Sequence, residues 1–517
     1  MIVRPGRDRR AVLHRGPSGA SQSPGREVIV IGGGIAGLSA ALCLAERGVS
    51  VRLLERERTW GGRARSWDLG EGRSMSRGFH AFFRQYYTLR SLLRRTDPAL
   101  GMLEDIGDYP LQRAGGARDS FRGIPRTPPW SVAAFALRSE SFPLRELAAV
   151  DVPAALALLR AEFPASFSAH DGEDAASFLD RLRFPDQARH LALEVFARSF
   201  FADPSQFSAG ELVGMFHTYF MGSAEGLIFD VPSDAYSPTL WDPLVRALRA
   251  HGGEARTGAA VDGVHEAGDG RLLVRTASEE LTADAVVVAA DPRTARRLVA
   301  GMDRPRRAAG PEDGWAASVA AQRNAPPFAV QRLWWDRPVA AEAPAFLGTS
   351  GFGPLDNVTV LDRFEGTARR WSAAHGGSVV ELHAYALTGH TPAQDDALRR
   401  ELRAQLERLH PELRGAAPVH EEWLVQEDCP LIGTGEWARR PTVTTPDRRV
   451  VLAGDWLRTD EPVALMERAA LTGLQAANAL LEGWGAAGHD WWSVPMSGVL
   501  RSPARAAARR TGRRARA

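Results

Sequence analysis

Residues 28–63 read VIVIGGGIAGLSAALCLAERGVSVRLLERERTWGGR, and this stretch decides the fold of the chain. Its first four residues form an apolar run that is typical of a buried parallel strand. A glycine-rich turn, an alanine- and leucine-rich segment and a second apolar run that ends in an acidic residue follow. This order predicts a strand, a phosphate-binding turn, a helix and a second strand, which together form a dinucleotide-binding unit.

Each glycine of the turn has its own physical purpose. Gly32 allows the tight turn after the strand, Gly34 lets the backbone approach a pyrophosphate, and Gly37 lets the helix pack against the sheet. The amides at the helix N-terminus, at Ile35 and Ala36, then face the phosphates. A turn in an α/β enzyme without a cofactor is the competing interpretation, and it leaves these glycines unexplained.

The end of the stretch completes the nucleotide site. Glu55 ends the second strand, where its carboxylate can accept hydrogen bonds from an adenosine ribose. Arg56 follows directly, and the pair Gly62-Arg63 lies in a basic loop a few residues later. We assign these four residues to the cofactor site, and their combination with the glycine turn predicts FAD.

The charged residues exclude several mechanisms and partners. All 64 basic residues of the 517-residue chain are arginine, so no step can use a lysine base or Schiff base. Six arginines lie in residues 1–26 and seven in residues 501–517, and we expect a basic disordered end at 1–26, a basic tail at 484–517 and no structure after about residue 497. These ends are either simply solvated or attracted to an anionic lipid surface. No aromatic platform accompanies them, so we expect no nucleic-acid partner.

The cysteine content bears on the compartment. Cys43 and Cys429 are too few for a disulfide framework, which favours a reducing cytoplasm. No apolar segment follows the N-terminal arginines, so we expect no secretory signal. We also expect no metal site.

Two later blocks return the chain to the first sheet. Residues 240–300 combine an amphipathic helix with short strands. Residues 448–456 form a buried strand that ends in Gly454-Asp455, and an alanine-rich helix follows over about residues 460–481. Asp455 is placed to hold the ribityl or pyrophosphate region, and the helix N-terminus can stabilise negative charge on a reduced flavin.

The predicted nucleotide-binding domain is therefore discontinuous. We assign residues 27–105, 240–300 and 445–483 to this domain. Residues 106–239 and 301–444 are assigned to a substrate domain that faces the membrane.

Two segments of these inserts have clear patterns. Residues 378–387 alternate as a strand with Glu381, His383 and Tyr385 on one face, which is typical of ordinary packing. Residues 132–159 are largely apolar, but five charged residues interrupt them and exclude a bilayer span. They form either an amphipathic pair of helices that rests on a membrane or a pair that covers the substrate cavity.

The motifs together resemble a known superfamily. The glycine turn, the Gly-Gly-Arg sequence and the late Gly-Asp pair are similar to those of the glutathione-reductase-like flavoproteins, which include amine oxidases and carotenoid desaturases. The resemblance covers most of residues 27–482 and implies an α/β fold, with a Rossmann-type FAD domain and an inserted α+β substrate domain. It also implies non-covalent FAD, with Gly78, Phe79, Val261 and Met466 as further contacts.

Three motifs narrow the resemblance. Residues 77–87, RGFHAFFRQYY, and residues 333–338, LWWDRP, are similar to phytoene and ζ-carotene desaturases. With residues 464–470, ALMERAA, the first motif looks most like the isorenieratene synthases of actinomycetes, a family of β-carotene desaturase/methyltransferases. Linear-chain desaturases usually carry glycine where this chain has Arg468.

The resemblance implies oxidation of a β-ionone ring to an aromatic φ ring, with migration of one methyl group. Hydride would pass to the flavin, which a quinone or O₂ would reoxidise. Because a carotene has no polar group, its binding must come from apolar burial. The expected lining residues, each with core packing as the alternative, are Phe82, Phe83, Tyr86, Tyr87, Trp334 and Trp335. His80 either accepts the final proton or forms a structural hydrogen bond beneath the flavin.

Other functions stay open on the sequence alone. The chain can be a linear-chain carotene desaturase or isomerase, or a non-catalytic isoprenoid-binding protein of the same fold. An amine oxidase is disfavoured because the family's usual lysine beside the flavin is missing. We expect a cytoplasmic protein that attaches peripherally to the cytoplasmic membrane, and the sequence does not set its oligomeric state.

Overall fold

The computed structural model describes residues 8–108, 110–116, 118–128, 130–139, 150–183, 200–225, 229–302 and 312–500. The α-helices of this part of the chain are α1 Ile35–Ala45, α2 Tyr87–Leu93, α3 Trp130–Arg138, α4 Val152–Leu159, α5 Ala165–Ser168, α6 Ala175–Leu182, α7 Ala209–Phe216, α8 Asp242–Ala250, α9 Pro292–Ala300, α10 Glu312–Ala320, α11 Gly366–His375, α12 Asp395–Leu409 and α13 Leu465–Gly483.

The β-strands are β1 Val12–His14, β2 Glu27–Ile31, β3 Ser50–Leu54, β4 Ser66–Gly70, β5 Arg73–Ser76, β6 Phe82–Phe83, β7 Leu103–Asp105, β8 Leu111–Arg113, β9 Arg118–Asp119, β10 Phe229–Pro232, β11 Glu254–Arg256, β12 Val261–Glu266, β13 Leu272–Thr276, β14 Glu280–Ala283, β15 Ala285–Val288, β16 Arg323–Asn324, β17 Phe328–Trp335, β18 Phe346–Ser350, β19 Asn357–Val360, β20 Ser378–Ala384, β21 His420–Gln426, β22 Pro430–Leu431, β23 Val450–Leu452 and β24 Trp491–Ser493.

A five-stranded parallel sheet forms the centre of the nucleotide-binding part, in the order β11-β3-β2-β15-β23. β15 and β23 contain only valine, leucine and alanine and are buried throughout, as expected for strands covered on both faces. Segments that are remote in the sequence thus share one sheet. Their carboxyl ends lie along one edge, which is where open parallel sheets bind ligands.

The helix α1 lies close against this sheet because of Gly37. A Cβ atom at this position would lie 1.8 Å from the carbonyl oxygen of Gly32, so a larger residue would push the helix away from β2. On its other side α1 contacts α13, where the hydroxyl of Ser39 donates to the carbonyl of Ala470 at 2.8 Å. Burial along the whole of α1 explains why this helix carries no charged residue.

A seven-stranded sheet forms the substrate side, in the order β21-β17-β20-β19-β18-β8-β9. Its neighbouring strands are antiparallel except β18 and β8, which are parallel. β17 and β20 are buried along their whole length. The polar side chains of β20 therefore lie inside the protein rather than in solvent.

The N-terminal segment corrects the expectation of disorder at 1–26, because it pairs with the first part of the basic tail that was assigned to 484–517. β1 pairs antiparallel with β24, with Leu13 opposite Trp492, and the ring of His14 stacks on Trp491 at 5.2 Å. These residues are ordered despite the neighbouring arginines because pairing buries their apolar surface. Residues 1–7 and 501–517 lie outside the described part of the chain.

The segment expected to contact a membrane is described only in part. Its residues 140–149 lie outside the described ranges, and α3 and α4 flank them. In α3, the side chains of Trp130 and Leu137 are large apolar groups that are 68% and 70% exposed. Over the described ranges, no helix has both the length and the apolar character needed to cross a bilayer.

The last helix begins later than the sequence indicated. α13 starts at Leu465 rather than near residue 460. Arg468 explains the delay, because its Nε and Nη2 atoms donate to the carbonyl of Val463 at 2.9 and 2.5 Å. These bonds hold the preceding residues in a turn.

Glu467, in the first turn of α13, caps the helix α2. Its carboxylate oxygens accept the N–H groups of Thr88 and Leu89 at 2.8 and 2.9 Å. Burial raises the pKa of Glu467 to about 8, and the two hydrogen bonds oppose this only in part. The folded protein therefore holds a proton that the unfolded chain releases.

We expect Glu467→Gln to remove a pH dependence of stability. The free energy of unfolding should fall as pH rises from about 4.5 to about 8, because unfolding releases the Glu467 proton in this window. The slope approaches about 1.4 kcal/mol per pH unit for one proton. Urea unfolding at several pH values measures it. Glu482→Gln, on the exposed end of the same helix, should keep the slope, and a glutamine variant at 467 that also keeps it would contradict the assignment.

Candidate active site

One cavity of about 340 Å³ extends from the edge of the parallel sheet to the seven-stranded sheet. At its first end, Gly32 and Gly62 have φ values of +110° and +57°, which favour glycine. Gly34, at the N-cap of α1, and Gly62 both line the cavity. Side chains at these positions would fill the space through which a pyrophosphate reaches the helix N-terminus.

Glu55 is held at the same end by backbone amides. Its Oε2 accepts the N–H of Gly33 at 2.6 Å, and its Oε1 accepts the N–H of Glu57 at 2.8 Å. Burial raises the pKa of Glu55, and these two hydrogen bonds oppose the rise. The carboxylate is fixed in orientation on the cavity wall, as a group that accepts ribose hydroxyls must be.

An ion pair lies on the cavity wall beside the glycine turn. Arg63 Nη2 donates to Asp455 Oδ1 at 2.5 Å. Burial lowers the pKa of Arg63, but the charge and hydrogen bond of Asp455, together with Cys429 and Asp428 nearby, raise it above the ordinary value. Leu465 and Met466, at the N-terminus of α13, line the cavity as well. The guanidinium and the helix N-terminus can both stabilise negative charge on a ligand.

The far end of the cavity is aromatic. Phe79 lies against Phe346 with ring centroids 4.3 Å apart, and Phe83 lies against Tyr219 at 4.5 Å. The hydroxyls of Tyr86 and Tyr219 share a hydrogen bond of 2.5 Å, so their polar ends satisfy one another. This end suits an apolar ligand with an extended π system.

A second cavity of about 220 Å³ continues beyond the aromatic wall. Tyr219 lines both cavities, and Phe229 of the second contacts Phe83 of the first with centroids 5.3 Å apart. The second cavity ends at α3, where Phe135 stacks on Phe121 at 4.7 Å. A path lined in part by aromatic side chains thus leads from the exposed helix α3 towards the first cavity.

His80 lies on the cavity wall in its neutral form. Its Nδ1 donates to the carbonyl of Gly78 at 2.8 Å, so Nε2 is left as the acceptor. Burial lowers the pKa of His80 to about 4. The imidazole can accept a hydrogen bond at neutral pH, but it holds a proton poorly.

A buried polar network faces the same cavity from β20. The hydroxyl of Tyr385 donates to His383 Nδ1 at 2.6 Å, and Asn357 Nδ2 donates to the Tyr385 oxygen at 3.0 Å. His383 Nε2 lies 2.8 Å from Glu381 Oε1. Tyr385, His383 and Asn357 line the cavity, and the fully buried Glu381 lies behind them.

The sequence that forms this cavity matches a known protein family. Residues 35–481 match the family described as flavin containing amine oxidoreductase. The chain belongs to the flavin-containing amine oxidoreductase family. It is 50% identical over 509 residues to the carotenoid phi-ring synthase of Streptomyces griseus, with 96% of each chain covered.

Two more distant likenesses agree with this membership. The chain is 27% identical over 597 residues to the carotenoid phi-ring synthase of Chlorobaculum tepidum, which covers 92% of this chain and 91% of the relative. It is similar to the solved structure of cyclohexylamine oxidase from Brevibacterium oxydans, with 17% identity, a TM-score of 0.61, and 89% and 99% of the two chains covered. The glutathione-reductase-like α/β fold class predicted from the sequence is confirmed.

The family membership also confirms the predicted cofactor and class of enzyme. As a member of this family, the protein is an oxidoreductase that uses non-covalent FAD. The cavity fits that group on its own terms, because Gly34 and Gly62 leave room for a pyrophosphate, Glu55 presents a fixed carboxylate on the wall, and Arg63 is paired with Asp455.

Most residues predicted for the site lie around the cavity, although their individual roles stay predictions. The predicted residues that line it are Gly32, Gly34, Ile35, Ala36, Glu55, Arg56, Gly62, Arg63, Phe79, His80, Phe83, Tyr86, Val261, Gly454, Asp455 and Met466. The predicted residues outside the lining are Gly37, Gly78, Phe82, Tyr87, Trp334 and Trp335.

Trp334 and Trp335 correct the expectation that both line a substrate channel. They are 1% and 0% exposed and belong to two different apolar cores. Successive residues of a strand point to opposite faces of the sheet, so two adjacent residues of β17 cannot both face one cavity. The same alternation separates Phe83, which lines the cavity, from Phe82, which lies near Trp241.

Sequence reasoning missed the wall residues that the inserts and the later strands supply. These are Phe201, Tyr219, Phe346, Asn357, His383, Tyr385, Asp428 and Cys429. The sequence feature that could have indicated the polar residues among them is the polar face of β20. Three hydrogen-bonding residues on one face of a strand in the middle of a large sheet indicate an internal network, since such groups need partners when they are buried.

We expect Glu55→Ala to lose FAD during purification. The substitution removes the acceptor for the ribose and leaves the N–H groups of Gly33 and Glu57 without the carboxylate. The ratio of visible flavin absorbance to protein measures the loss. Glu254→Ala, which changes an exposed carboxylate on β11, should keep its flavin. Full occupancy in Glu55→Ala would show that another residue binds the ribose.

Proposed function

We propose that the protein is a carotenoid φ-ring synthase that oxidises the β-ionone rings of β-carotene to aromatic φ rings, with migration of one methyl group from C1 to C2. The observation that carries the proposal is the single cavity that joins an FAD-binding cradle to an aromatic end. The likeness to the Streptomyces griseus relative over nearly the whole chain supports the same reaction.

The aromatic end of the cavity binds and orients the ring. A carotene gains about 25 cal/mol for each Å² of apolar surface that it buries, and Phe79, Phe83 and Tyr219 offer such surface without a charged group. When it is bound, FAD supplies the hydride acceptor for this chemistry. Aromatic faces next to the ring also stabilise the carbocation that hydride loss leaves on the substrate.

Of the two roles that the sequence left open for His80, the structure favours the positional one. Its Nδ1 holds the carbonyl of Gly78, and the hydroxyl of Tyr236 lies 3.2 Å from its backbone nitrogen. Because burial keeps the pKa of His80 at about 4, its imidazole is a weak proton acceptor. We propose that His80 fixes the loop that carries Phe79.

The substrate enters from a membrane through the second cavity. Carotenes partition into lipid, and α3 turns Phe135 into that cavity while it exposes Trp130 and Leu137 outward. The exposed arginines Arg122 and Arg126 lie on the cavity rim. Tryptophan and arginine together favour the headgroup region of an anionic bilayer. The protein therefore rests peripherally on the cytoplasmic membrane, where a quinone or O₂ can reoxidise the flavin.

Expression in cells that accumulate β-carotene tests the reaction. We expect a product that has lost four hydrogens per modified ring and shows aromatic proton resonances. Cells that accumulate lycopene should yield no oxidised product, since a linear chain end has no ring to aromatise. Oxidation of lycopene alone would indicate a linear-chain desaturase. Flavin-containing protein without any product in either host would favour the non-catalytic alternative.

We expect the double variant Trp130→Ser, Leu137→Ser to bind lipid more weakly. Burial of one large apolar side chain contributes about 1.5–3 kcal/mol, so the affinity for vesicles with phosphatidylglycerol should fall at least tenfold, with flavin content unchanged. Vesicle co-sedimentation measures it. Val419→Ser, at another exposed apolar residue, should bind as the unaltered protein does, and a double variant with full affinity would refute the contact.

A further inference from the structure

We propose that Tyr385, backed by His383 and Glu381, accepts the proton that leaves C2 of the ring in the final, aromatising step. This inference rests on the proposed function and names the proton acceptor of that same site. Its basis is a continuous line of hydrogen bonds from the cavity wall into the seven-stranded sheet, with 2.6 Å between Tyr385 and His383 and 2.8 Å between His383 and Glu381.

The charge state of Glu381 sets the direction of these bonds. Burial raises the pKa of Glu381, but the Arg332 guanidinium and the hydrogen bond from His383 outweigh it and bring the pKa to about 2. Glu381 is therefore an anion and an acceptor. Its 2.8 Å contact with His383 Nε2 is shorter than the 3.3 Å between that nitrogen and the backbone nitrogen of Phe79, so His383 carries its proton on Nε2. His383 Nδ1 then has a lone pair, and the hydroxyl of Tyr385 donates to it. The network is set to move a proton away from the cavity.

The final step breaks one C–H bond of the ring and forms one π bond. After hydride loss and the methyl shift, C2 of the ring carries one hydrogen beside the cationic C1. The C2–H bond breaks, its electron pair forms the C1–C2 π bond, and its proton passes to the Tyr385 oxygen. At the same time the hydroxyl proton of Tyr385 moves to His383 Nδ1, which leaves an imidazolium ion beside the Glu381 carboxylate. Tyr385 stays neutral throughout.

A phenol is a weak base, but this reaction needs no stronger one. Proton loss from the ring cation creates an aromatic ring, and that gain drives the transfer. The imidazolium ion that results is stabilised by the buried carboxylate of Glu381. Among the residues that the structure describes, the imidazole of His80 hydrogen-bonds only to the carbonyl of Gly78, so an imidazolium ion there would have no hydrogen-bonded anion.

The surroundings of Tyr385 hold its hydroxyl in place. Its ring lies edge-on to Phe201, with centroids 4.9 Å apart, and its backbone N–H donates to Asp356 Oδ2 at 2.6 Å. Asn357 Nδ2 donates to the Tyr385 oxygen, while Asn357 Oδ1 is buried without a hydrogen-bond partner on the same wall. A partial negative charge at that place favours a cationic ligand over a neutral one.

The test uses the full-length protein with FAD and a β-carotene analogue that already contains the C3–C4 double bond, so that only the last oxidation remains. We expect Tyr385→Phe to keep its flavin and its KM but to form aromatic product at least about 100-fold more slowly, as for loss of a general base. The unaltered protein should show a slower product-forming step in D₂O, because the Tyr385 proton moves in it. Tyr385→Phe should lack this solvent isotope effect.

Two further variants separate a proton relay from a structural role. Glu381→Gln should lower the product-forming rate and the solvent isotope effect together. His410→Asn removes a buried histidine that pairs with Glu412 outside the cavity, and it should leave both unchanged.

Three results would overturn the relay. These are a Tyr385→Phe rate close to that of the unaltered protein, a solvent isotope effect that survives in this variant, or one that His80→Ala abolishes. If the unaltered protein forms no aromatic product, the proposed function itself fails.

Discussion

One buried guanidinium, that of Arg332, joins the two parts of the molecule. It donates to Glu381 Oε2 from Nε and Nη2 at 2.9 and 2.6 Å, and to the carbonyl of Ser74 and the hydroxyl of Ser76 at 2.7 Å each. A charge that is 1% exposed is stable only with an adjacent counter-charge and satisfied N–H groups. The strand β5, which leads into the loop of Phe79, is therefore fixed relative to β17 and β20. The distance between the FAD cradle and the polar network follows from this ion pair.

A second buried arginine explains where the chain departs from its linear-chain relatives. Arg468, at the position where those desaturases usually carry glycine, donates to Glu211 Oε2 at 2.6 Å, and Arg440 donates to Glu211 Oε1 at 2.5 Å. The triad connects α13 to α7 and to the chain after β22. Because Arg468 also holds the carbonyl of Val463, it sets where α13 begins. Leu465 and Met466, at the N-terminus of α13, line the cavity, so Arg468 positions part of the cavity wall.

The sequence predicted the nucleotide end well and the substrate end poorly, and the reason is physical. Dinucleotide binding needs glycine at fixed spacing for the phosphates and an acid at a strand end for the ribose, so Gly32, Gly34 and Glu55 can be predicted from local sequence. The apolar end of the cavity needs only large apolar side chains, and strands that are far apart in the sequence supply them. In the sequence, the pair Trp334-Trp335 resembles the lining of a channel. In the structure the two side chains lie in two different apolar cores. The order of β1 against β24 was also missed, since pairing partners 479 residues apart leave no local pattern.

The charges around the cavity are arranged so that a carbocation is not repelled. A chain without lysine has only permanently charged guanidinium groups as strong cations, and five of them line the cavity. Four have a carboxylate partner: Arg63 with Asp455 at 2.5 Å, Arg77 with Asp428 at 2.6 Å, and Arg65 and Arg56 with Glu57 at 3.3 and 3.5 Å. The fifth, Arg297, donates to the carbonyls of Val261 and Asp262 at 2.8 Å each. Paired charges produce a field that falls off much faster with distance than that of a single charge. The wall that a hydrocarbon cation meets is then composed of aromatic faces and the polar network of β20, whose buried anion is Glu381. Because Arg332 pairs with Glu381, this anion acts at short range, through its 2.8 Å contact with His383, where it stabilises the proton that the ring has lost.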